Sequence, residues 1–496
     1  MGCRTRVLAG VVAVLTVGSV VGVASGVASA GSPGWSLAPT VTVGTAQNTL
    51  TSVTCPSPTD CVAVGNYEHD EDGTVSYRTL IESWDGENWS VADSPNPSTS
   101  GNYLNSVSCA SESSCVAVGR YERGRTYGTL IETWDGSSWT ATAGPNDGDT
   151  FRTLLGVSCA SATSCVAVGE YDVDNTQVTL LDTWDGESWT VTPTPNLGTT
   201  LNTLTSVSCT GATSCVAVGF YADEQSPNHT LVLTWDGLSW STTPSPNADN
   251  GSALLGVSCV DSSTCTAVGF SDSDTGEQAL VETFDGVGWS VTPSPQVGTG
   301  VAQLSSVACI DATGCVAVGM SAVDSTLVET WDGASWSVAP SANPGTRYNW
   351  LLGVGCADAD SCAAVGYFQN FDTAAANGSQ ATATATAAAQ AKRTLGEVGS
   401  AVPRLRSPGA PAHVVASAAN RSATVTWSPA IAHGSKITSY TVRASHGSAS
   451  VTVRGHRTRA TLRGLKNGAK YRFTVTATNA IGPSAPSNPS GAITPS

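Results

Sequence analysis

Short runs rich in Val, Ile, Leu, Thr and Trp recur along the chain and are bounded by Gly, Asp, Asn and Pro. This pattern predicts β-strands. One clear copy begins at Leu104 and holds four such runs: SVSC, CVAVG, TLIETW and SWTAT. No part of the repeated region has the periodicity of a long amphipathic helix. The pattern therefore predicts an all-β fold built from units of four strands.

The spacing of the cysteines gives the length of the unit. Apart from Cys3, the cysteines form seven C-x5-C pairs, and successive pairs start 54, 50, 50, 50, 50 and 47 residues apart. A constant period of this length indicates a repeat architecture. Four strands in each repeat are typical of a β-propeller blade. We therefore expect a seven-bladed β-propeller over residues 31–400.

The region 31–400 does not begin with the first strand of a repeat and does not end with a fourth strand. Trp35 matches the tryptophan of a fourth strand, but no first three strands precede it, and the last repeat, around Cys356–Gly366, has no fourth strand after it. We expect the N-terminal strand to complete the last blade, which removes two exposed edges. Its third strand is predicted at Arg393–Glu397, which leaves the Ala/Thr-rich, low-complexity residues 371–392 as an inserted loop.

Each cysteine pair lies at the two ends of a five-residue hairpin loop, where the two side chains are within disulfide reach. Zinc is the alternative, but it requires closer spacing and further ligands, and the repeats contain only His69 and His229. The predicted disulfides are Cys55–Cys61, Cys109–Cys115, Cys159–Cys165, Cys209–Cys215, Cys259–Cys265, Cys309–Cys315 and Cys356–Cys362.

A W-D-G-x-S-W element separates the third and fourth strands of most repeats. Its Asp-Gly pair supplies the turn chemistry of a tight hairpin. The segment Thr133–Trp139 resembles the Asp box of sialidase-type propellers, S/T-x-D-x-G-x-x-W, with one residue missing between Asp and Gly. That resemblance implies a structural role for the aspartates, on the face away from an active site.

The composition changes after Pro408. Residues 411–496 resemble a fibronectin type III domain, through Trp427 in ATVTWSP, Tyr440 in ITSYTV and the run that begins at Gly464. Asn467 stands where this family often has proline. The resemblance implies a small β-sandwich that acts as a spacer or adhesive module. Residues 401–410 are then a linker.

Residues 1–30 have the pattern of a secretory signal peptide: Arg4 and Arg6, an apolar run, and Ala28-Ser29-Ala30. An uncleaved anchor is the alternative. No second segment is long and apolar enough to span a bilayer. Paired cysteines require an oxidising compartment, so we expect a secreted, extracellular protein, with association to the cell wall as a further option and no integral membrane segment after cleavage.

The net charge of −17 is divided unevenly. Residues 31–391 contain 38 acidic residues and six arginines, a net charge of −32, whereas residues 392–496 have a net charge of +13. An acidic propeller does not bind nucleic acid through phosphates. The basic module could contact an anionic cell-wall polymer, an acidic polysaccharide or the propeller itself, or be an ordinary solvated surface.

The loops between the second and third strands of each repeat carry many of the acidic residues. Together with the connections from fourth to first strands, they form the face where propellers usually bind ligands. Ca²⁺ prefers oxygen-rich clusters, and the candidate ligands are Asp70, Asp72, Asp272, Asp274 and Glu277. The alternative is that these loops are solvated and bind no cofactor.

A tyrosine recurs in the second strand of four repeats, at Tyr67, Tyr121, Tyr171 and Tyr221. These side chains could form a rim for sugar stacking, although packing between blades is favoured.

Three functions are compatible with this sequence. The first is a monomeric, secreted binding or adhesion protein whose variable loops hold a glycan, a cell-wall polymer or an extracellular protein. The second is a glycoside hydrolase, but no carboxylate pair stands out, and the few arginines of the repeats depart from the sialidase pattern. The third is a structural envelope protein. We expect the first, with no catalytic residue assigned.

Overall fold

The computed structural model describes residues 35–370, 392–399 and 408–496, apart from gaps at 39, 45–46, 146–149, 225–226, 248–249, 275, 296, 298–299, 322–323, 409, 431–436, 448, 456 and 480–481. The predicted signal peptide and most of the predicted linker lie outside the described residues. All regular elements in the described part of the chain are β-strands. The chain divides into two compact units between Ala401 and Val402.

The N-terminal unit consists of repeated four-stranded antiparallel sheets, and in the first six the strands follow one another in sequence order. The first sheet contains β2 (Asn48–Ser57), β3 (Asp60–Glu71), β4 (Thr74–Trp84) and β5 (Trp89–Ala92). The second contains β6 (Asn102–Ser111), β7 (Ser114–Arg123), β8 (Thr126–Trp134) and β9 (Trp139–Ala143), and the third β10 (Arg152–Ser161), β11 (Ser164–Val173), β12 (Thr176–Trp184) and β13 (Trp189–Val191).

The next three sheets repeat the same arrangement. The fourth contains β14 (Leu201–Gly211), β15 (Ser214–Ala222), β16 (His229–Trp235) and β17 (Trp240–Thr242). The fifth contains β18 (Ser252–Asp261), β19 (Thr264–Ser273), β20 (Gly276–Phe284) and β21 (Trp289–Val291), and the sixth β22 (Ala302–Asp311), β23 (Gly314–Ser321), β24 (Ser325–Trp331) and β25 (Trp336–Val338).

The seventh sheet joins the two ends of this unit. Its strands are β26 (Arg347–Asp358), β27 (Ser361–Gln369), β28 (Lys392–Gly399) and β1 (Ser36–Leu37), in that order. The prediction that the N-terminal strand completes the last sheet, with 393–397 as its third strand, is confirmed by the pairing of β28 with β27 and β1. The predicted insert is one residue too long, because Lys392 pairs with Gln369.

The second strand of each sheet is buried at consecutive positions rather than at alternate ones. In β7, the residues from Cys115 to Gly119 are all buried. Such continuous burial arises where both faces of a sheet are covered. Here the covering layers are the neighbouring sheets: Val116 and Val118 of β7, for example, pack in one cluster with Leu154 of β10.

Contacts join each sheet to the next, and the seventh sheet also contacts the first. Ser108 Oγ accepts a hydrogen bond from the Cys159 amide at 3.0 Å, so the serine of the V-S-C motif ties the second sheet to the third. At the other end, Ala363 and Val365 of β27 share a hydrophobic cluster with Leu50 of β2. A β-carbon added at Gly353 of β26 would lie 2.7 Å from Ser52 Cα.

The glycine of the V-A-V-G motif allows the first two strands of each sheet to approach closely. A β-carbon at Gly169 would collide with the carbonyl oxygen of Thr153 on the paired strand, and the same collision recurs at Gly65, Gly119, Gly219, Gly269, Gly319 and Gly366. The first strand has a β-bulge next to this contact, between Leu154, which pairs with Gly169, and Gly156. The glycine is therefore required by the backbone of the partner strand.

Gly169→Ala is expected to lower the free energy of unfolding by about 1–3 kcal/mol, because the added methyl group overpacks a backbone contact. Gly211→Ala is the matched control: a β-carbon added there would meet open space, and the change in stability should be less than about 1 kcal/mol. Urea unfolding of both variants measures the difference. Equal stability of the two variants would show that the strand contact adapts without cost.

The C-terminal unit contains two three-stranded sheets. One is formed by β29 (Ala412–Ala419), β30 (Ser422–Ser428) and β33 (Arg459–Arg463), and the other by β32 (Ser450–Arg454), β31 (Ser439–Ala444) and β34 (Phe473–Thr478). Trp427 and Tyr440 pack in its core, with ring centroids 5.3 Å apart. Asn467 accepts a hydrogen bond from the Arg421 amide at 2.8 Å, so it holds the turn where the family often has proline.

Candidate functional site

The paired cysteines form seven disulfides, one in each sheet. In the second sheet, Cys109, Cys115, Trp134 and Trp139 lie opposite one another on the four successive strands. Trp134 Nε1 also donates to the Glu112 carbonyl in the disulfide hairpin, at 3.2 Å. The disulfide and the tryptophan pair therefore fix the ends of all four strands, as a repeated structural element.

The aspartates of the W-D-G turns have a local structural role. Asp135 Oδ1 accepts hydrogen bonds from the amides of Ser137 and Ser138, at 2.8 and 2.9 Å. The pKa of Asp135 is lowered by hydrogen bonds from Ser137 and Ser138. Gly136 has a φ of 91°, which favours glycine. The same contacts recur in the other W/F-D-G turns.

The hairpins between second and third strands lie beside the connections that lead from one sheet to the next. The Tyr77 amide donates to the Ser100 carbonyl at 2.9 Å, and the Glu122 amide donates to the Gly101 carbonyl at 2.8 Å. Asn102 Nδ2 donates to the Tyr77 carbonyl at 3.2 Å. We call this combined surface the loop face. It lies at the ends of the strands opposite to the disulfides.

The four tyrosines predicted as a sugar-binding rim are half-buried against the hydrophobic clusters of the sheets. Tyr67, Tyr121, Tyr171 and Tyr221 each pack on a different cluster. Tyr221 also lies against His229, with ring centroids 5.2 Å apart. These contacts are the ones expected if the tyrosines pack within the repeats, which is the role that the sequence favours. A role in stacking sugars stays a prediction.

The predicted calcium ligands lie in two hairpins. Asp70 Oδ1 accepts from the Gly73 amide at 2.8 Å, so it caps its own turn. Asp72, Asp272 and Asp274 are exposed. Among the described residues, no three His, Cys, Asp or Glu side chains are grouped closely enough to hold a metal ion. Calcium binding at Asp70, Asp72, Asp272, Asp274 and Glu277 stays a prediction.

A cluster of arginine and tyrosine side chains lies on the loop face between the second and third sheets. Arg120 Cζ is 5.1 Å from the ring centroid of Tyr103 and 4.9 Å from that of Tyr127. Arg152 Cζ is 4.7 Å from the ring centroid of Tyr171. These distances are those of cation–π contacts. We call these five residues the arginine–tyrosine cleft.

The two arginines extend from facing surfaces of adjacent sheets. Arg120 lies two residues beyond Val118, on the face of β7 that packs against Leu154. Arg152 lies two residues before Leu154, on the face of β10 that packs against the second sheet. Phe151 contacts Tyr127 across the same boundary, with ring centroids 5.1 Å apart. The folding of the repeats thus brings together residues that are distant in sequence.

No ion pair between either guanidinium of the cleft and a carboxylate is found among the described residues. The Nε atoms of Arg120 and Arg152 are buried and have no hydrogen-bond acceptor there. Glu170 Oε2 accepts from Thr203 Oγ1 at 2.6 Å, in the fourth sheet. Burial raises the pKa of Glu170, while Thr203 and the charge of Arg120 lower it. Glu122 Oε1 accepts from the Tyr103 hydroxyl at 3.4 Å.

A row of buried carboxyl groups was not predicted from the sequence. Glu82, Glu132, Asp182, Glu282 and Glu329, on the third strands of five sheets, have no exposed surface. Burial raises the pKa of Glu132 to about 8 and the pKa values of Glu82, Glu282 and Glu329 to about 7. Ser94, in the connection from the first sheet, donates to Glu132 Oε2 at 2.9 Å. The fourth sheet has Leu233 at this position, which is also buried.

Comparison with known proteins identifies the C-terminal unit. Residues 409–492 match the family model described as "Fibronectin type III domain". No curated protein sequence matches the chain. Within the described residues, no helix is long and apolar enough to cross a membrane.

Solved structures resemble different parts of the chain. "Titin kinase and its flanking domains" is 34% identical, with a TM-score of 0.16, and the match covers 18% of this chain and 17% of the titin chain. The chain thus spans about a sixth of that structure. "YCF48 bound to D1 peptide" is 13% identical over 68% of this chain and 93% of its own, with a TM-score of 0.40. "YCF48 from Cyanidioschyzon merolae" has the same identity and TM-score, and the match covers 67% of this chain and 96% of its own.

The sequence match and the packed β-strands establish a fibronectin type III domain at residues 409–492.

Proposed function

We propose that this protein is a secreted binding protein that holds its ligand at the loop face of the repeats. The arginine–tyrosine cleft is the observation that carries the proposal, because it places two guanidinium groups, whose buried Nε atoms have no acceptor among the described residues, on the loop face of a strongly acidic unit. Arginine and tyrosine side chains are enriched among the residues that contribute most to binding. The fibronectin type III domain acts in this proposal as a spacer or an anchor.

The proposal includes a closed seven-bladed propeller for the repeats. Its support is the continuity of contacts between consecutive sheets and the contact of β26 and β27 with β2. The shared seventh sheet, in which β1 pairs with β28, joins the two ends of the unit. Closure of this kind leaves few exposed strand edges, which otherwise promote aggregation.

Binding is favoured over glycoside hydrolysis. Strongly raised pKa values mark candidate catalytic acids, and Glu82, Glu132, Glu282 and Glu329 have them. These carboxyl groups have no exposed surface, so a polysaccharide cannot reach them, and they occupy the same position in four different sheets. Their repetition instead points to a role in joining the sheets.

Secretion is supported by the chemistry of the cysteines. Seven disulfides within one chain require an oxidising compartment to form and persist. Fibronectin type III domains and disulfides are both consistent with an extracellular protein.

A polysaccharide array tests this function. The secreted full chain is applied to glycans and cell-wall polymers, and both retention and the release of reducing sugar are measured. We expect retention without release. Release of sugar would support the hydrolase alternative, and the absence of both signals would favour a protein ligand or a structural role in the envelope.

A further inference from the structure

The two arginines of the cleft are unusual for their surroundings. Residues 31–391 contain 38 acidic residues and only six arginines. Even so, the buried Nε atoms of Arg120 and Arg152 have no acceptor among the described residues. Charged groups taken out of water are costly unless they are paired. An anion bound at these guanidinium groups would offset this cost.

Two carboxyl groups beside the cleft already have other partners. Glu170 accepts from Thr203 of the fourth sheet at 2.6 Å. Glu122 accepts from the Tyr103 hydroxyl at 3.4 Å. The tyrosine rings hold the guanidinium groups in place through their faces, at 4.7 to 5.1 Å. This arrangement orients the two arginines without using up their hydrogen-bond donors.

The side chains of the cleft define the chemistry of the ligand. A guanidinium is planar and offers a pair of parallel donors that fits a carboxylate. Tyrosine rings have an apolar face and a polar hydroxyl, which suits the apolar and hydroxylated surfaces of a sugar ring. The amides of Glu122 and Asp172 are bonded to the carbonyls of Gly101 and Phe151. Because these backbone donors are occupied, capture of a peptide by the backbone is disfavoured.

We propose that the arginine–tyrosine cleft binds the carboxylate of an acidic sugar in an extracellular polysaccharide. Arg120 and Arg152 contact the carboxylate, and the rings of Tyr127 and Tyr171 lie beside the sugar. This inference rests on the proposed binding function and names the class of its ligand. It assigns the acidic polymer to the repeats rather than to the basic fibronectin type III domain.

Polygalacturonate and its fully methyl-esterified form test the proposal, because esterification removes the charge of the carboxyl groups and leaves the sugar backbone unchanged. Binding of the full chain is measured at physiological salt, together with the double variant Arg120→Gln/Arg152→Gln. We expect the wild type to bind the acid form and not the ester, and the double variant to lose at least about tenfold in affinity. Unchanged unfolding midpoints verify that the variant is folded.

Two control variants locate the effect. Arg347→Gln, in the seventh sheet, removes an arginine that pairs with Asp324 at 3.7 Å and should leave binding unchanged. Arg443→Gln/Arg454→Gln reports on the basic domain, where both side chains are exposed; it should also leave the affinity unchanged. Arg120→Lys keeps the charge but not the paired donors and should give an intermediate affinity.

Several results would overturn the proposal. Binding that survives in the double variant, or that is lost only in the Arg443/Arg454 variant, would place the polymer elsewhere. Equally tight binding of poly-glutamate would show that the sugar is not recognised. Retention of neutral glycans alone would reject the acidic ligand and leave the binding function intact. No retention of any glycan would also reject the acidic ligand, and it would leave a protein ligand or a structural role for the repeats.

Discussion

Reduction of the seven disulfides should lower the midpoint of thermal unfolding more than any single substitution. Each bond joins cysteines six positions apart, and the chain-entropy model gives about 2 kcal/mol for so short a loop. Seven equivalent bonds together amount to on the order of 10 kcal/mol, which is comparable with the whole stability of many proteins. Melting curves with and without a phosphine reductant measure this loss.

The repeated geometry makes the contribution of one bond predictable as well. Cys209→Ala/Cys215→Ala and Cys259→Ala/Cys265→Ala remove equivalent bonds in adjacent sheets. We expect similar and modest decreases in the two variants. Alkylation and mass measurement count the free thiols after reduction. A fully reduced protein with an unchanged midpoint would mean that the tryptophan pairs and sheet contacts hold the hairpins without the bonds.

The fold was largely predictable because the repeats encode it several times. The cysteine period, the W-D-G turns and the phase of Trp35 each report on strands that are close in sequence, and a pattern present seven times is hard to misassign. Even the third strand of the seventh sheet was visible, as a copy of Arg78–Glu82. Local signals of this kind determine the first six sheets, whereas the pairing of β1 with β28 follows from the phase of the repeats, which leaves the last repeat without a fourth strand of its own.

The cleft was not predictable from the same signals. Arg120 and Arg152 belong to different repeats, and their approach depends on which face of β7 packs against β10. The sequence pattern presents Tyr171 only as part of a rim of equivalent residues. In the structure Tyr171 contacts Arg152, which lies on the strand paired with its own. The cleft can be recognised only when both the alternation of side chains along the strands and the packing of adjacent sheets are known.

The buried acids were overlooked for a related physical reason. A charged residue in a strand, such as the glutamate of T-L-I-E-T-W, is usually expected on a solvent-exposed face. Here neighbouring sheets cover both faces, so Glu132 has no exposed surface. Ser94, which donates a hydrogen bond to Glu132 Oε2, precedes it by 38 positions. The recurrence of the acid in most repeats was the signal that could have revealed this role.

The buried acids should make the protein less stable as the pH rises. Burial raises the pKa of Glu132 to about 8 and those of Glu82, Glu282 and Glu329 to about 7. Between about pH 4.5 and pH 8, the folded protein keeps protons that the unfolded chain has released. The free energy of unfolding is therefore highest near or below the unfolded pKa of about 4.5 and falls as the pH passes the folded values.

The expected loss is roughly 3 kcal/mol for each carboxyl group between pH 4.5 and pH 9, reduced wherever water or local opening relieves the charge. Urea unfolding at a series of pH values across this range measures it. A constant or rising stability toward pH 8.5 would contradict the assignment of these groups as neutral in the folded protein.

Leu233 provides a natural control for the variants, because it occupies the glutamate position in the fourth sheet. Glu132→Leu should remove the contribution of one carboxyl group to the pH dependence of the free energy of unfolding, so the variant is more stable than the wild type at pH 8.5. Glu187→Gln, at an exposed carboxyl group, should leave the pH dependence unchanged. Leu233→Glu should add a further decline at high pH. If Glu132→Leu keeps the full pH dependence, the slope comes from other groups, and the Ser94–Glu132 contact does not hold a neutral acid.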